Sequence, residues 1–149
     1  MTTTEMHFAS TRLYDIGVSL YNELAKKDSV ITNDEKQVVS GDFEAEPFEV
    51  ALKMSVFAEN GLVAFFSLLP YEVPASKAAE FAQLICTTNY KDMYAGNFDY
   101  LPESGKIVFR LTLPFRNSLL SEELLRESIN YCRDTVTKYN SMLFEASRE

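Results

Sequence analysis

The chain has 149 residues and a formal net charge of −8 at pH 7, with 22 acidic and 14 basic side chains interspersed along it. A chain of this length can bury one sizeable core, so we expect a single domain over residues 1–149. Its apolar fraction of 46% is that of an ordinary globular protein and argues against disorder. The acidic field disfavours phosphate backbones and anionic lipid, which excludes nucleic acid and membranes as expected partners.

The start of the chain lacks the pattern of a secretory signal, which is a basic segment followed by a continuous apolar run. Charged residues also interrupt every apolar run before it reaches the length of a membrane span. Cys86 and Cys132 have no metal-ligand spacing and occupy apolar positions of predicted helices. That placement suits buried free thiols in a reducing compartment, with a disulfide or redox pair as the alternative. We therefore predict a cytoplasmic protein.

The first predicted element is an amphipathic helix that starts at Ser10 or Thr11 and ends near Lys27 or Asp28. The apolar side chains on its inner face are Leu13, Ile16, Leu20 and Leu24. The segment 36–43 that follows favours a short strand only weakly, around Val38-Val39, and the tripeptide Ser40-Gly41-Asp42 within it indicates a turn.

A β-hairpin is predicted around Asn60-Gly61. Apolar and polar residues alternate between Phe48 and Val56, which is the period of a half-buried strand. Asn-Gly favours a type I′ turn because both residue types tolerate a positive φ. The return run from Leu62 to Leu69 is apolar at nearly every position, as expected for a strand that is central or covered on both faces.

A second helix is predicted from Ser76 to about Thr88, with Asn89 as a plausible stop. Its inward side chains are expected to be Ala78, Phe81, Ala82 and Ile85.

A second hairpin then pairs residues 94–101 with residues 106–113 around the turn 102–105. In its second strand, Ile107, Phe109, Leu111 and Leu113 alternate with Val108, Arg110 and Thr112. This alternation predicts one face packed on helices and one mostly polar face.

The last predicted element is a long helix that Ser121 caps, with Glu122 and Glu123 in its first turn where negative charge is favoured. A narrow apolar stripe runs along it: Leu125, Ile129, Cys132, Val136, Tyr139 and Leu143. The stripe favours a helix that faces the core, and the alternative is a seam between two protomers.

The sequence offers no catalytic constellation. His7 is the only histidine and precedes the first predicted helix, so no histidine-based metal site or catalytic triad is expected. The five glycines are scattered and form no phosphate-binding loop. We predict no catalytic, cofactor-binding or metal-binding residues. Tyr90, Tyr94 and Tyr100 are the aromatic residues outside core periodicity, and any of them could lie in a binding groove.

The run from Gly96 to Pro114 and the helix start after it carry a family pattern. Its residues are Gly96, Phe98, Asp99, Pro102, Glu103, Gly105, Ile107, Phe109, Arg110, Leu113 and Pro114, followed by Leu120-Ser121-Glu122-Glu123 and Tyr139. This pattern resembles the C-terminal half of the YbjN family of bacterial sensory transduction regulators. The similarity extends more loosely to the Asn60-Gly61 hairpin and the second helix.

The resemblance implies the fold of type III secretion chaperones, in which a helix, three strands, a helix, two strands and a final helix follow in order. The elements predicted from periodicity have the same αβββαββα order. Both therefore favour an α+β protein with a five-stranded antiparallel sheet packed with helices. The resemblance brings no catalytic residues, and fold alone does not determine function.

We expect a non-enzymatic regulatory or chaperone-like module that binds a protein partner or client. The alternative is a small-molecule sensor or enzyme with a pocket between sheet and helices. A homodimer is also expected, because helices on one face of the sheet leave the other uncovered. The candidate contact residues on that open face are Val63, Phe65, Val108, Arg110 and Thr112, and the alternative for the first three is burial under a helix or loop.

Overall fold

A computed structural model describes residues 1–148 of the chain. The elements in chain order are α1 (Thr3–Leu24), β1 (Ile31–Asn33), β2 (Val38–Phe43), β3 (Val50–Phe57), β4 (Leu62–Leu68), α2 (Ala78–Asp92), β5 (Asn97–Leu101), β6 (Lys106–Pro114) and α3 (Glu122–Ser147). The six strands form one antiparallel sheet in the order β1-β2-β3-β4-β6-β5. Helices α1 and α3 pack on one face of it, and α2 packs against β5. None of the helices within residues 1–148 is long and apolar enough to cross a membrane.

Helix α1 begins well before the predicted start at Ser10 or Thr11. The cause is a capping box, in which the Glu5 amide donates to Thr2 Oγ1 at 3.1 Å and the Thr2 amide donates to Glu5 Oε2 at 2.7 Å. His7 therefore lies inside the helix rather than before it. The pattern of apolar residues missed these turns because they bury little beyond Met6.

The predicted turn at residues 40–42 is wrong, because β2 continues through it to Phe43. Gly41 lies where the end of α1 crosses the strand closely. A Cβ atom there would lie 3.0 Å from Ala25 Cβ and 3.2 Å from the Tyr21 ring. The glycine thus marks a close contact within a strand. The three-residue strand β1, which the sequence did not predict, brings the sheet to six strands.

The turn between β3 and β4 also differs from the expected type I′ turn. It spans four residues, 58–61, and only Gly61 has a positive φ, of 66°. The position of β4 in the middle of the sheet is confirmed, as is the hairpin of β5 and β6.

Helix α3 confirms the predicted cap and stripe. The Leu124 amide donates to Ser121 Oγ at 3.0 Å, and all six stripe residues are buried within the chain. Cys132 belongs to this core, and its burial raises the pKa of the thiol to about 12. Cys86 differs from the prediction, because it is exposed on α2. Both thiols are free.

Candidate functional site

The sheet has one covered and one open face. We call the strand side chains that point away from α1 and α3 the open face. Its larger apolar members are Ile31, Val38, Phe57, Leu62, Phe66, Leu68, Leu101 and Val108. Among them, Ile31 is 70% exposed and Leu68 is 50% exposed. Apolar side chains grouped on an uncovered surface are typical of contact sites.

A groove of about 490 Å³ crosses this face. Its lining residues are Ser29, Ile31, Ser40, Gly41, Asp42, Ala51, Leu52, Lys53, Phe66, Leu68 and Val108. These residues come from β1, β2, β3, β4 and β6, which are neighbours in the sheet, and from the loop before β1. With strands spaced about 4.8 Å apart, five strands span roughly 19 Å. The groove is therefore long and runs across the strands.

Small side chains create the groove and larger ones flank it. Ala51 on β3 and Ser40 on β2 leave space between Ile31 on one side and Leu68 on the other. Near the β1 end, Ser29 Oγ accepts the Asp42 amide at 3.1 Å and donates to the Lys26 carbonyl at 2.7 Å. The Lys26 amide in turn donates to the Asp42 carbonyl at 2.8 Å. These bonds fix the loop that forms this end of the groove.

The charges of the open face differ from those of the whole protein. Its strands carry three cations and two carboxylates, Lys53, Lys106, Arg110, Asp42 and Asp99, on a chain of net charge −8. Arg110 Nε lies 3.3 Å from Asp99 Oδ2. Within residues 1–148, Lys53 has no carboxylate at ion-pair distance, and its Nζ lies 5.3 Å from the centre of the Phe66 ring.

The predicted contact residues divide between the two faces. Val108, Arg110 and Thr112 lie on the open face, and Val108 lines the groove. The placement of Val63 and Phe65 there is wrong and the alternative of burial is confirmed for both, because they are fully buried on the face that the helices cover. Leu62, Ala64, Phe66 and Leu68 take the open positions of β4. The one polar residue of β4, Ser67, lies in the same phase as Val63 and Phe65 but is buried with them, so polarity does not indicate which alternate positions face outward.

The outer edge of β5 is closed by a side chain from α2. Asn89 Nδ2 donates to the Phe98 carbonyl at 2.8 Å, and the Phe98 amide donates to Asn89 Oδ1 at 2.9 Å. The Asn89 amide thus occupies the hydrogen-bonding groups that a neighbouring strand would use. In an antiparallel strand these groups alternate in direction, so Tyr100 is the other residue of β5 whose backbone amide and carbonyl point away from the sheet. Asn89 is not the helix stop, since α2 continues to Asp92.

The opposite edge, on β1, is also restricted. The Val56 amide donates to the Gln37 carbonyl. Because backbone groups alternate in direction along a strand, the amides and carbonyls of Val39 and Gly41 in β2 also point toward β3. The backbone groups of the alternate residues in β2 bond to β1. In β1, the backbone groups of Ile31 and Asn33 point toward β2, and those of Thr32 alone point away from the sheet. Each edge therefore presents little backbone to a strand from another chain.

The outer surface of α2 forms a second exposed region. Ala79, Gln83, Cys86 and Tyr90 are exposed and recur on one uncharged side of the helix. Tyr94, just beyond the helix, is 98% exposed. Of the three tyrosines that the sequence singled out, Tyr90 and Tyr94 are thus surface residues, whereas Tyr100 packs on Phe81 at 5.1 Å between ring centres. None of the three lines the groove.

The ionisable side chains that line the groove are those of Asp42 and Lys53. Burial raises the pKa of several groups that lie elsewhere: Tyr14, Tyr21, Tyr71 and Cys132. For Tyr14 the pKa rises to about 12 through burial and through donation to Asp34 Oδ1 at 2.6 Å. Within residues 1–148, no three His, Cys, Asp or Glu side chains are placed to hold a metal ion.

Solved structures identify the fold. A chain of the crystal structure of the ExsC–ExsE complex is similar with a TM-score of 0.62 and 13% sequence identity, over 90% of this chain and 95% of that chain. A chain of the ExoT–SpcS complex from Pseudomonas aeruginosa has a TM-score of 0.47 and 12% identity, over 85% and 96% of the two chains. The predicted α+β fold of the secretion-chaperone type is confirmed, with six strands rather than five. No family model and no curated protein sequence matches this chain.

Proposed function

We propose that the protein is a non-enzymatic, cytoplasmic module, regulatory or chaperone-like, that binds a partner protein through the open face. The observation that carries this proposal is the apolar groove on a sheet face that no helix of residues 1–148 covers. Exposed apolar side chains such as Leu68 gain free energy when a partner removes them from water. The groove also lacks an arrangement of groups for catalysis, which favours binding over an enzymatic role.

Two further observations support the proposal. The similar chain with a TM-score of 0.62 belongs to the structure of a complex, that of ExsC and ExsE. The pattern from Gly96 to Pro114 resembles the YbjN family, and on that basis a role as a sensory transduction regulator is part of the proposal. At 13% identity the first of these transfers the fold alone, so a protein-binding role requires a direct test.

The test is affinity purification of the tagged protein from its source cells after chemical cross-linking, with mass spectrometry of the bound proteins. Leu68→Glu places a charge on the groove wall and should abolish capture of specific partners. Leu119→Glu makes the same change at another exposed leucine, outside the open face, and should leave capture intact. Equal capture by both variants would contradict a binding site on the open face.

A second candidate function is binding of a small molecule. A volume of 490 Å³ falls within the range of small-ligand sites, although this groove lies on the open face and not between sheet and helices. A ligand that binds the native state raises the unfolding temperature by mass action. A metabolite that does so for the wild type at micromolar concentration, but not for Leu68→Glu, would favour this function if no protein partner is recovered.

We also propose a homodimer that forms through the outer surface of α2 and leaves the open face free. The uncharged side of α2 gives two acidic chains a place to approach with little repulsion. Its exposed tyrosine, Tyr90, provides apolar area at the edge of such a contact.

Light scattering and cysteine cross-linking test the dimer. The proposed arrangement gives twice the monomer mass of 17.0 kDa. When a mild oxidant is added to take up the two electrons and two protons of the thiols, it also gives a disulfide-linked dimer through Cys86 that Cys86→Ser abolishes. Tyr90→Glu should return the mass to that of a monomer, whereas Leu68→Glu should not. A monomer mass at all concentrations would refute the dimer, and dissociation by Leu68→Glu alone would place it on the open face.

A further inference from the structure

The shape of the groove restricts how a partner can occupy it. Its lining residues follow the strand order from Ile31 on β1 to Val108 on β6, so its long axis crosses the strands. A length of roughly 19 Å matches five or six residues of extended chain at about 3.3 Å each. Along the strands the groove is narrow, because its outward lining residues on one strand, such as Ala51 and Lys53 on β3, are only two positions and about 7 Å apart. A helix about 10 Å wide would not enter such a groove with its backbone, whereas one extended segment could.

The sheet edges do not favour the other way of binding an extended segment, in which it adds as a strand. Asn89 occupies the backbone groups of Phe98 on β5, and β1 has only Thr32 directed outward. Strand addition depends on a row of free backbone groups, which neither edge offers. Side-chain contacts in the groove must therefore supply most of the affinity.

The charge of the groove indicates the chemistry of the segment. The Lys53 ammonium group leans over the Phe66 ring on β4, away from Asp42 on β2, and no carboxylate within residues 1–148 pairs with it. A carboxylate from a partner could reach it beside an apolar wall, where the low local polarity strengthens an ion pair. The space above Ala51, between Ile31 and Leu68, accepts an apolar side chain.

We propose that the groove binds an extended segment of a partner protein that crosses the strands, with an apolar side chain seated over Ala51 and a carboxylate paired with Lys53. This inference rests on the proposed protein-binding function and specifies the chemistry of the partner at the same site. The predicted preference for acidic segments is the reverse of the one expected from net charge, because a chain of charge −8 attracts basic segments by its general field. Selection of acidic segments would thus show that the groove, and not the net charge of the protein, determines which segments bind.

The probe is a phage-displayed library of random twelve-residue peptides, selected on the immobilised full-length protein at physiological salt, where distant charges are screened. We expect enrichment of peptides in which an acidic residue lies within two positions of a large apolar residue. Amide shifts in NMR spectra with an enriched peptide should centre on Ala51, Lys53 and Leu68.

Three variants decide the outcome. Ala51→Leu fills the groove and should weaken an enriched peptide at least tenfold. Lys53→Glu should weaken it similarly and select basic–apolar peptides in a repeat selection. Lys106→Glu makes the same charge change on the open face but outside the groove lining, and should alter affinity less than threefold. Thermal unfolding of each variant confirms that it is folded.

No enrichment, enrichment without an excess of acidic residues, or full affinity in Ala51→Leu would overturn the inference. Shifts centred on α2 or on the edge of β5 would overturn it as well. The proposed function fails separately, when partner capture from cells does not depend on Leu68. If that dependence holds while peptides show no charge preference, the function stands and only the partner chemistry assigned here is wrong.

Discussion

The two faces of β6 differ although they consist of neighbouring residues. On one face, Phe109 is fully buried and its ring centre lies 5.2 Å from that of Phe98, which in turn contacts Tyr139 of α3. On the other, Arg110 is exposed, and its one ion pair among residues 1–148 is with Asp99. We therefore expect the covered face to contribute most of the stability of the fold, and the open face is the one to which we assign binding. Substitutions should separate the two.

Phe109→Ala should have the largest effect. Removal of a buried phenylalanine side chain costs about 3–5 kcal/mol, a large part of a total stability of roughly 5–15 kcal/mol. Urea unfolding measures the change in midpoint at unchanged slope. Val108→Ala, at the adjacent position on the open face, is the matched control and should shift the midpoint much less. Similar shifts for the two would mean that the faces do not differ in packing.

Alkaline pH should lower the free energy of unfolding through Cys132, which lies on the covered side of the sheet. Burial raises the pKa of this thiol from 9.0 to about 12, so the unfolded chain loses its proton at lower pH than the folded chain. The contribution is complete below pH 9 and is lost as pH rises toward 12, by at most about 1.4 kcal/mol per pH unit. The unfolding free energy of Cys132→Ala should fall less steeply over this range. Equal slopes would mean that Cys132 ionises freely in the fold.

Asn89→Ala tests how the outer edge of β5 is closed. It leaves the Phe98 amide and carbonyl without their partners, which should cost about 1–3 kcal/mol and speed hydrogen exchange at Phe98. Thr87→Ala on the exposed side of the same helix is the control. Self-association of Asn89→Ala would further show that the side chain protects the edge from strand addition. Unchanged exchange at Phe98 would refute the capping role.

The sequence predicted the two faces only where polar residues alternate with apolar ones. On β6, Arg110 and Thr112 fix the direction of every side chain, and the prediction for that strand is confirmed. On β4, Val63 and Phe65 belong to a run whose one polar residue, Ser67, is buried in the same phase, so the sequence does not fix the outward positions and the alternative of burial is confirmed for both.

The groove depends on contacts between residues far apart in sequence, and the closure of the β5 edge by Asn89 depends on how two elements pack. Ala51 and Lys53 are recognisable as outward positions of β3. Their position near Ile31 depends on β1, which the sequence did not predict, and their position beside Leu68 depends on the register of the β3–β4 hairpin, which differs from that of the expected type I′ turn. Local preference alone indicates a helix stop at Asn89. Its bonds to Phe98 follow from how α2 packs against β5.

Arg110→Ala should have the smallest effect on stability, within about 0.5–1 kcal/mol, because an exposed ion pair is largely screened by water and salt. Asp99→Ala should match it, and the double variant should lose little more than either single variant, since the two side chains share one interaction. Urea midpoints at low and high salt measure these differences. A loss as large as that of Phe109→Ala would mean that Arg110 is buried in solution by something that covers the open face. A second copy of the chain on that face would have this effect, and the loss would then depend on protein concentration.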